Sequence, residues 1–312
     1  MLNFIELGKR IYDTSNPREL RRMVVFAARA VLHRRGMQRL AAYFAADPVR
    51  ADIAAVNPYP FEQVTRAFFY KDSTFGERVR LVCEHISFLQ QVLQPEWVRH
   101  LCVCTDCSYT VWQEEYEGQV WQTVLNTEDG QRKEGMLSVT MNLGQEHLYQ
   151  IMFWIARDEK NHMALWIGAM QGPNMENARD IIKKITKRCF AYRTKNLILY
   201  MTQAVARAMG IKRIYAVTNY GYYANNHVRS DRKLKTNFED FWLEAGGQMT
   251  GDKRFCELPL VEPRKSMDEV KTHKRNLYRK RFEFLDEVDR VIEENIRRIM
   301  KQDGREIAHE TV

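Results

Sequence analysis

The 312-residue sequence contains no run of ~18 apolar residues, so no membrane-spanning helix is expected. Its first residues, MLNFIELGKRIYD, carry charges where a secretion signal needs an uninterrupted apolar segment. Those two absences point to a cytoplasmic protein, or one held peripherally on the inner membrane. No internal repeat and no low-complexity tract occurs, which excludes solenoids and fibrous classes. Cysteine is sparse. Cys102, Cys104 and Cys107 form a CxCxxC, but no second CxxC or HxxxH half accompanies it. No metal site is therefore assigned, and the six cysteines are expected as free thiols.

What is present is ordinary for a globular chain: 45% hydrophobic and 28% charged residues, with a formal net charge of +8. The positive balance favours anionic partners such as a phosphorylated cofactor, an envelope precursor or an anionic membrane surface. Nucleic acid has the least support, because no recognised nucleic-acid motif is present.

The first hundred residues read as helical. Asn16 can cap a helix with Pro17 at its first position, and Leu20, Val24, Ala27, Ala28 and Val31 recur at helical spacing up to Gly36. Arg21, Arg22, Arg34, Arg35 and Arg39 fall on polar faces, either as a solvated surface or as an anion or lipid patch. A second helix runs to about Ala46, and Asn57-Pro58-Tyr59-Pro60 reads as a linker. A further helix is expected from Phe75 to Leu93.

After Trp97 the period changes to two. Tyr109 to Tyr116, Gln119 to Asn126, Met136 to Leu143, Leu148 to Ala156 and Met163 to Met170 form a five-strand antiparallel meander with short turns. The chain is organised around the stretch that follows from Met163 to Tyr223. The last meander strand stops at Gln171-Gly172-Pro173. A basic helix capped at Asn174 follows, then an apolar-faced helix closed by Gly210. The strand Ile211 to Val217 comes next and opens into an Asn/Tyr/Gly-rich loop. Strand, helix, strand in that order adds a parallel crossover. The fold class is thus α+β: a mixed, mainly antiparallel sheet. Its organisation is an N-terminal helical region (1–100), a mixed core (101–262) and a basic C-terminal amphipathic helix with a tail (263–312). Ser266 and Glu269 make a capping box for that last helix. Its stripe Tyr278, Phe282, Leu285, Val288, Ile292 and Ile296 packs on its own domain or lies on a membrane.

Several segments together resemble the VirK/YbjX family: IGAMQGP (167–173), YRTKNLIL (192–199), FEDFWLEAGG (238–247) and KRNLYRKRFEFLDEV (274–288), with EGMLSVTMNL (134–143) fitting its strand pattern. The resemblance implies a bacterial protein tied to envelope modification, virulence and resistance to cationic antimicrobial peptides. It carries over no catalytic residue. The element order is also similar to GNAT-type acyltransferases. That likeness implies an acyl-CoA or other acyl donor, and it places Asn219 and Tyr222 or Tyr223 near the thioester. The Gly-rich pyrophosphate loop of such enzymes is missing here; only Gln171-Gly172-Pro173 stands in its place, followed by an extra basic helix.

An acyl- or aminoacyl-transferase needs backbone donors, a phosphate partner, a base and an acid. Gln171 and Gly172 are the candidate backbone donors, Arg193 and Lys195 the phosphate partners, Glu244 or His227 the base, and Tyr222 or Tyr223 the acid. The competing reading is a non-catalytic accessory protein that binds anionic membrane or an envelope-assembly partner.

Overall fold

Seven helices precede the sheet: α1 (Phe4–Ile11), α2 (Pro17–Leu32), α3 (Arg34–Ala45), α4 (Pro48–Val56), α5 (Tyr59–Thr65), α6 (Phe75–Val92) and α7 (Pro95–Val103). They belong to a computed structural model that describes residues 3–103, 107–225 and 237–302. The starts follow local chemistry. Asn16 accepts from the Arg18 amide ahead of Pro17, and Thr74 with Glu77 forms a full capping box before α6. Of the segment read as a linker, Asn57 and Pro58 do connect two helices, but Tyr59 and Pro60 already belong to α5. Pro60 sits in the first turn of α5, where its missing N–H costs nothing.

The strands follow the expected meander: β1 (Ser108–Tyr116), β2 (Gln119–Asn126), β3 (Leu137–Leu143), β4 (Glu146–Arg157) and β5 (Met163–Gln171). Helices α8 (Ala178–Arg188) and α9 (Thr194–Ala208) then cross to β6 (Arg213–Val217), which pairs parallel to β5. Asn177, not Asn174, occupies the position before α8. Gly210 ends the α9 turn at φ 74°, where a Cβ would be strained. The short helix α10 (Phe238–Glu244) leads to β7 (Gln248–Met249) and β8 (Phe255–Leu258). The eight strands lie in the order β1-β2-β3-β4-β5-β6-β8-β7, and β5–β6 is the parallel pair in an otherwise antiparallel sheet.

The sheet is covered on both sides, which explains why β4 and β5 are apolar almost throughout. Thr123 of β2 reaches the Met201 sulfur of α9 on one face. On the other, Phe69 packs edge-on to Trp154 of β4 with ring centres 5.4 Å apart. Helix α11 (Arg275–Ile299) runs along β1 and α9. It starts later than the capping box suggests. Glu269 does accept from the Ser266 amide, but only a turn follows. Of the stripe, Leu285, Val288, Ile292 and Ile296 are buried in the protein's own core and Tyr278 and Phe282 are half-buried, so it packs on its own domain.

The helical spacing of Leu20, Val24, Ala28 and Val31 does not mark the buried face. Helix α2 buries Met23, Phe26 and Ala30 instead and leaves that stripe exposed. A further expectation changes. Cys83, Cys102, Cys189 and Cys256 are free thiols, whereas Cys107 is disulfide-bonded. Cys104 lies outside the described residues.

Candidate functional site

The residues singled out from the sequence fall into separate groups. Arg193 precedes α9 and Lys195 lies in its first turn. Both reach the same oxygen of Glu244, at 3.3 and 3.2 Å, on the exposed end of α10. A phosphate arriving at these two cations would have to displace that carboxylate. Asn219 holds the start of α10. Its amide donates to Asn237 Oδ1 at 2.6 Å, and its Oδ1 accepts from the Phe238 amide at 2.9 Å. Gln171 accepts from Gln131 Nε2 at 3.0 Å. Gly172 lies against Tyr149, whose ring would stand 3.3 Å from an added Cβ. His227 lies outside the described residues.

Tyr222 and Tyr223 belong to a more informative place. Strands β5 and β6 pair through four residues, Ala164–Ile167 with Arg213–Ala216, and β5 then continues without β6 to Gln171. Gly168 sits at the bulge between β4 and β5, where Phe153 pairs with Ile167 and Met152 with Ala169. The Glu134 carbonyl comes so close there that a Cβ on Gly168 would meet it at 1.7 Å. Above this bulge the Tyr222 phenol donates to Glu134 Oε1 at 2.7 Å. Glu134 Oε2 is buried without a hydrogen-bond partner. Burial pushes the Glu134 carboxyl above the ordinary glutamate value, against the opposing pull of the Tyr222 hydrogen bond and Lys133. The phenol of Tyr222 is likewise pushed up, by burial and by Glu134.

A larger opening lies beside it. A cavity of about 570 Å³ is floored by Tyr70, Trp154, Trp166, Tyr215 and Phe255 and rimmed by side chains of both charges. Strand register builds the floor. Trp166 of β5 lies opposite Tyr215 of β6, their rings stacked at 4.4 Å and 23°. Phe255 of β8 meets Trp166 edge-on at 4.9 Å, and Tyr70 meets Phe255 at 5.2 Å. Trp166 is anchored by Nε1 donating to the Ala156 carbonyl at 3.1 Å. A backbone bridge pairs Tyr70 with Tyr222, so the aromatic floor and the Tyr222–Glu134 pair are neighbours.

The rim is rigid. Asp158 Oδ1 accepts from the Lys160 and His162 amides, each at 2.9 Å, and so shapes the β4–β5 turn. Its Oδ2 accepts from Arg213 at 2.7 Å and from the Tyr215 hydroxyl at 3.3 Å. Arg213 also pairs with Glu257 at 3.0 Å. Arg254 clasps Asp252 and lies 4.9 Å over the Tyr70 ring. Burial and the Glu257 charge push the Tyr215 phenol up to about 12, so it stays a neutral donor. Stacked rings inside a polar rim suit a ligand with one flat apolar face and a hydrogen-bonding edge. Among the described residues, no three His, Cys, Asp or Glu side chains converge on a metal position.

None of the cleft residues was singled out from sequence. Trp154 and Trp166 sit symmetrically about the charged turn 157–162, the spacing of a cross-strand pair, and that was the available signal. Their partners Tyr215 and Phe255 are visible only once the parallel crossover is in register.

Among known proteins, a family model described as "Protein of unknown function (DUF535)" matches residues 15–294. An uncharacterized protein of Haemophilus influenzae is 25% identical over 274 residues, covering 86% of this chain and 87% of its own. The uncharacterized protein YbjX of Escherichia coli is 28% identical over 126 residues, 40% of this chain and 38% of YbjX. The membrane protein LapB of Mannheimia haemolytica is 20% identical over 192 residues, 62% of this chain and 80% of LapB.

Proposed function

Because the chain belongs to the VirK/YbjX family, the group described as DUF535, we propose that it acts on the bacterial envelope by binding a saccharide-bearing envelope precursor in the aromatic cleft. The observation that carries this reading is the floor of Tyr70, Trp154, Trp166, Tyr215 and Phe255 inside a rim of both charges. A sugar ring offers aliphatic C–H groups on one face and hydroxyls around its edge. The stacked rings complement the first and the rim complements the second. The relative named as a membrane protein supports an envelope setting. Among the described residues no helix is long and apolar enough to cross a membrane. On this reading the protein works from the cytoplasmic side of the inner membrane. A change in the precursor is the route by which it affects virulence and resistance to cationic peptides.

A second reading adds group transfer, and the Glu134–Tyr222 pair favours it. An acyl or aminoacyl group would pass from a thioester or ester donor to an amine or hydroxyl of the precursor. The leaving group then needs a proton. A carboxyl whose hold on its proton is strengthened by burial, hydrogen-bonded to a phenol at the end of the β5–β6 pairing, can supply one. Arg193, Lys195 and Glu244 would act at the other end, exchanging their ion pairs for a donor phosphate.

The test is a titration of the purified chain with short peptidoglycan and lipopolysaccharide-core saccharides, followed by calorimetry. Binding that Trp166→Ala weakens by about fivefold or more supports the cleft, since one stacked ring is worth ~1 kcal/mol or above. No binding, or equal binding by the variant, rejects it. Thermal stabilisation by acyl-CoA in the wild type, lost in Tyr222→Phe, would support the transfer step.

A further inference from the structure

The face that α2 leaves uncovered is the second feature of the molecule that calls for a partner. Leu20, Val24, Ala27, Ala28 and Val31 recur at three- and four-residue spacing, which places them on one side of the helix. Val24 is 56% exposed, Val31 62% and the adjoining Leu32 78%. The helix turns only Met23, Phe26 and Ala30 inward. Exposed apolar residues scattered singly are normal; a stripe along about three turns is not. From Arg18 to Arg39 the sequence holds seven arginines and a single acid, Glu19. Helical geometry sets the exposed Arg21 beside the stripe, whereas Arg18, Arg22 and Arg29 lie on the far side of the helix, Arg22 paired with Glu19 and Arg29 donating to the Thr65 carbonyl. Arg34, Arg35 and Arg39 continue the basic surface on the exposed side of α3.

We propose that α2, with the start of α3, docks the protein on an anionic lipid surface. Short aliphatic side chains enter the headgroup region, and the arginines meet lipid phosphates. Charge selects this occupant. A second copy of the chain would set two segments of seven arginines and one acid each against one another. A protein-binding site of this size would be expected to carry aromatic anchors, and the stripe has none. Nucleic acid would use the arginines but not the valines and leucines between them. The proposal does not depend on the cleft. It also moves membrane contact from α11, whose apolar stripe packs on its own domain, to the opposite end of the chain.

The experiment is sedimentation of the full chain with vesicles of phosphatidylcholine, with and without phosphatidylglycerol, at low and high salt. The wild type is expected to pellet with the anionic vesicles and to be released by salt. Val24→Asp/Val31→Asp should lower the partition by about tenfold or more. Both positions are exposed, so the double variant should keep the wild-type melting temperature. Arg279→Glu/Lys280→Glu on α11 should pellet like the wild type. The proposal is overturned if the wild type stays in solution, or if Val24→Asp/Val31→Asp still pellets. It is equally overturned if the wild type is a dimer that this variant splits, which would make a second copy the occupant.

Discussion

Replacing Asp158 by asparagine tests whether the cleft rim is built as described. The side chain is 2% exposed and accepts four hydrogen bonds: two from the turn amides of Lys160 and His162, two from Arg213 and Tyr215. Asparagine keeps the shape but has one acceptor and one donor. If its oxygen faces the turn amides, its NH2 points at the Arg213 guanidinium, donor against donor. If it flips, the turn amides lose their acceptor. Either way one set of partners is lost, and a buried hydrogen bond to a charged group is worth roughly 1.5–3 kcal/mol. Arg213 keeps Glu257, which limits the damage. The expected loss is about 3 kcal/mol of unfolding free energy, near the low end for breaking a buried ion pair.

The pH dependence gives the sign. Burial raises the Asp158 pKa, but the Arg213 hydrogen bond and the two turn amides outweigh it and hold the group below its ordinary 3.8. A group lowered in the folded state stabilises above its unfolded pKa and loses that contribution as the pH falls through the folded value. The difference between wild type and Asp158→Asn in urea unfolding should therefore be flat at neutral pH and shrink below 3.8. A variant within about 0.5 kcal/mol of wild type at pH 7, or a difference that persists in acid, refutes the reasoning.

Two other outcomes follow from the bulge. Gly168→Ala would set a Cβ 1.7 Å from the Glu134 carbonyl, so backbone must move; a drop of about 3 kcal/mol in urea unfolding is expected, and a neutral result would contradict the close approach. Glu134→Gln should be more stable than wild type at neutral and alkaline pH and no more stable below 4.5. The raised carboxyl favours folding only while protonated, and that contribution disappears as the pH rises through its folded value. Thermal melts across pH that run parallel for the two proteins would rule this out.

The sheet was legible because period-two alternation and short polar turns are local signals. Leu137, Val139, Met141 and Leu143 of β3 alternate with polar neighbours, and Gly210 marks the end of α9. Which face of a helix is covered is not local. Helix α2 offers Leu20, Val24 and Val31 on one side and Met23, Phe26 and Ala30 on another, and hydrophobic spacing ranks the two alike. The cleft was hidden for a related reason. Trp166 sits in a strand that is apolar on both faces, where an aromatic ring reads as core. Its rim and the neighbouring acid–phenol pair depend on the contacts Asp158–Arg213 and Tyr222–Glu134, which join residues 55 and 88 positions apart. Arg193, Lys195 and Glu244 were each legible as charged residues, but their mutual pairing appears only when α10 is laid beside the start of α9.

The cleft claim is tested most directly by following the tryptophan indole N–H signals by NMR during a titration with envelope saccharides. Trp166 is half-buried in the cleft and Trp154 lies fully buried beneath it, while Trp121 and Trp242 are fully buried elsewhere. The account predicts that the Trp166 signal shifts saturably while those of Trp121 and Trp242 stay fixed. Saccharide binding that leaves Trp166 unmoved would contradict it.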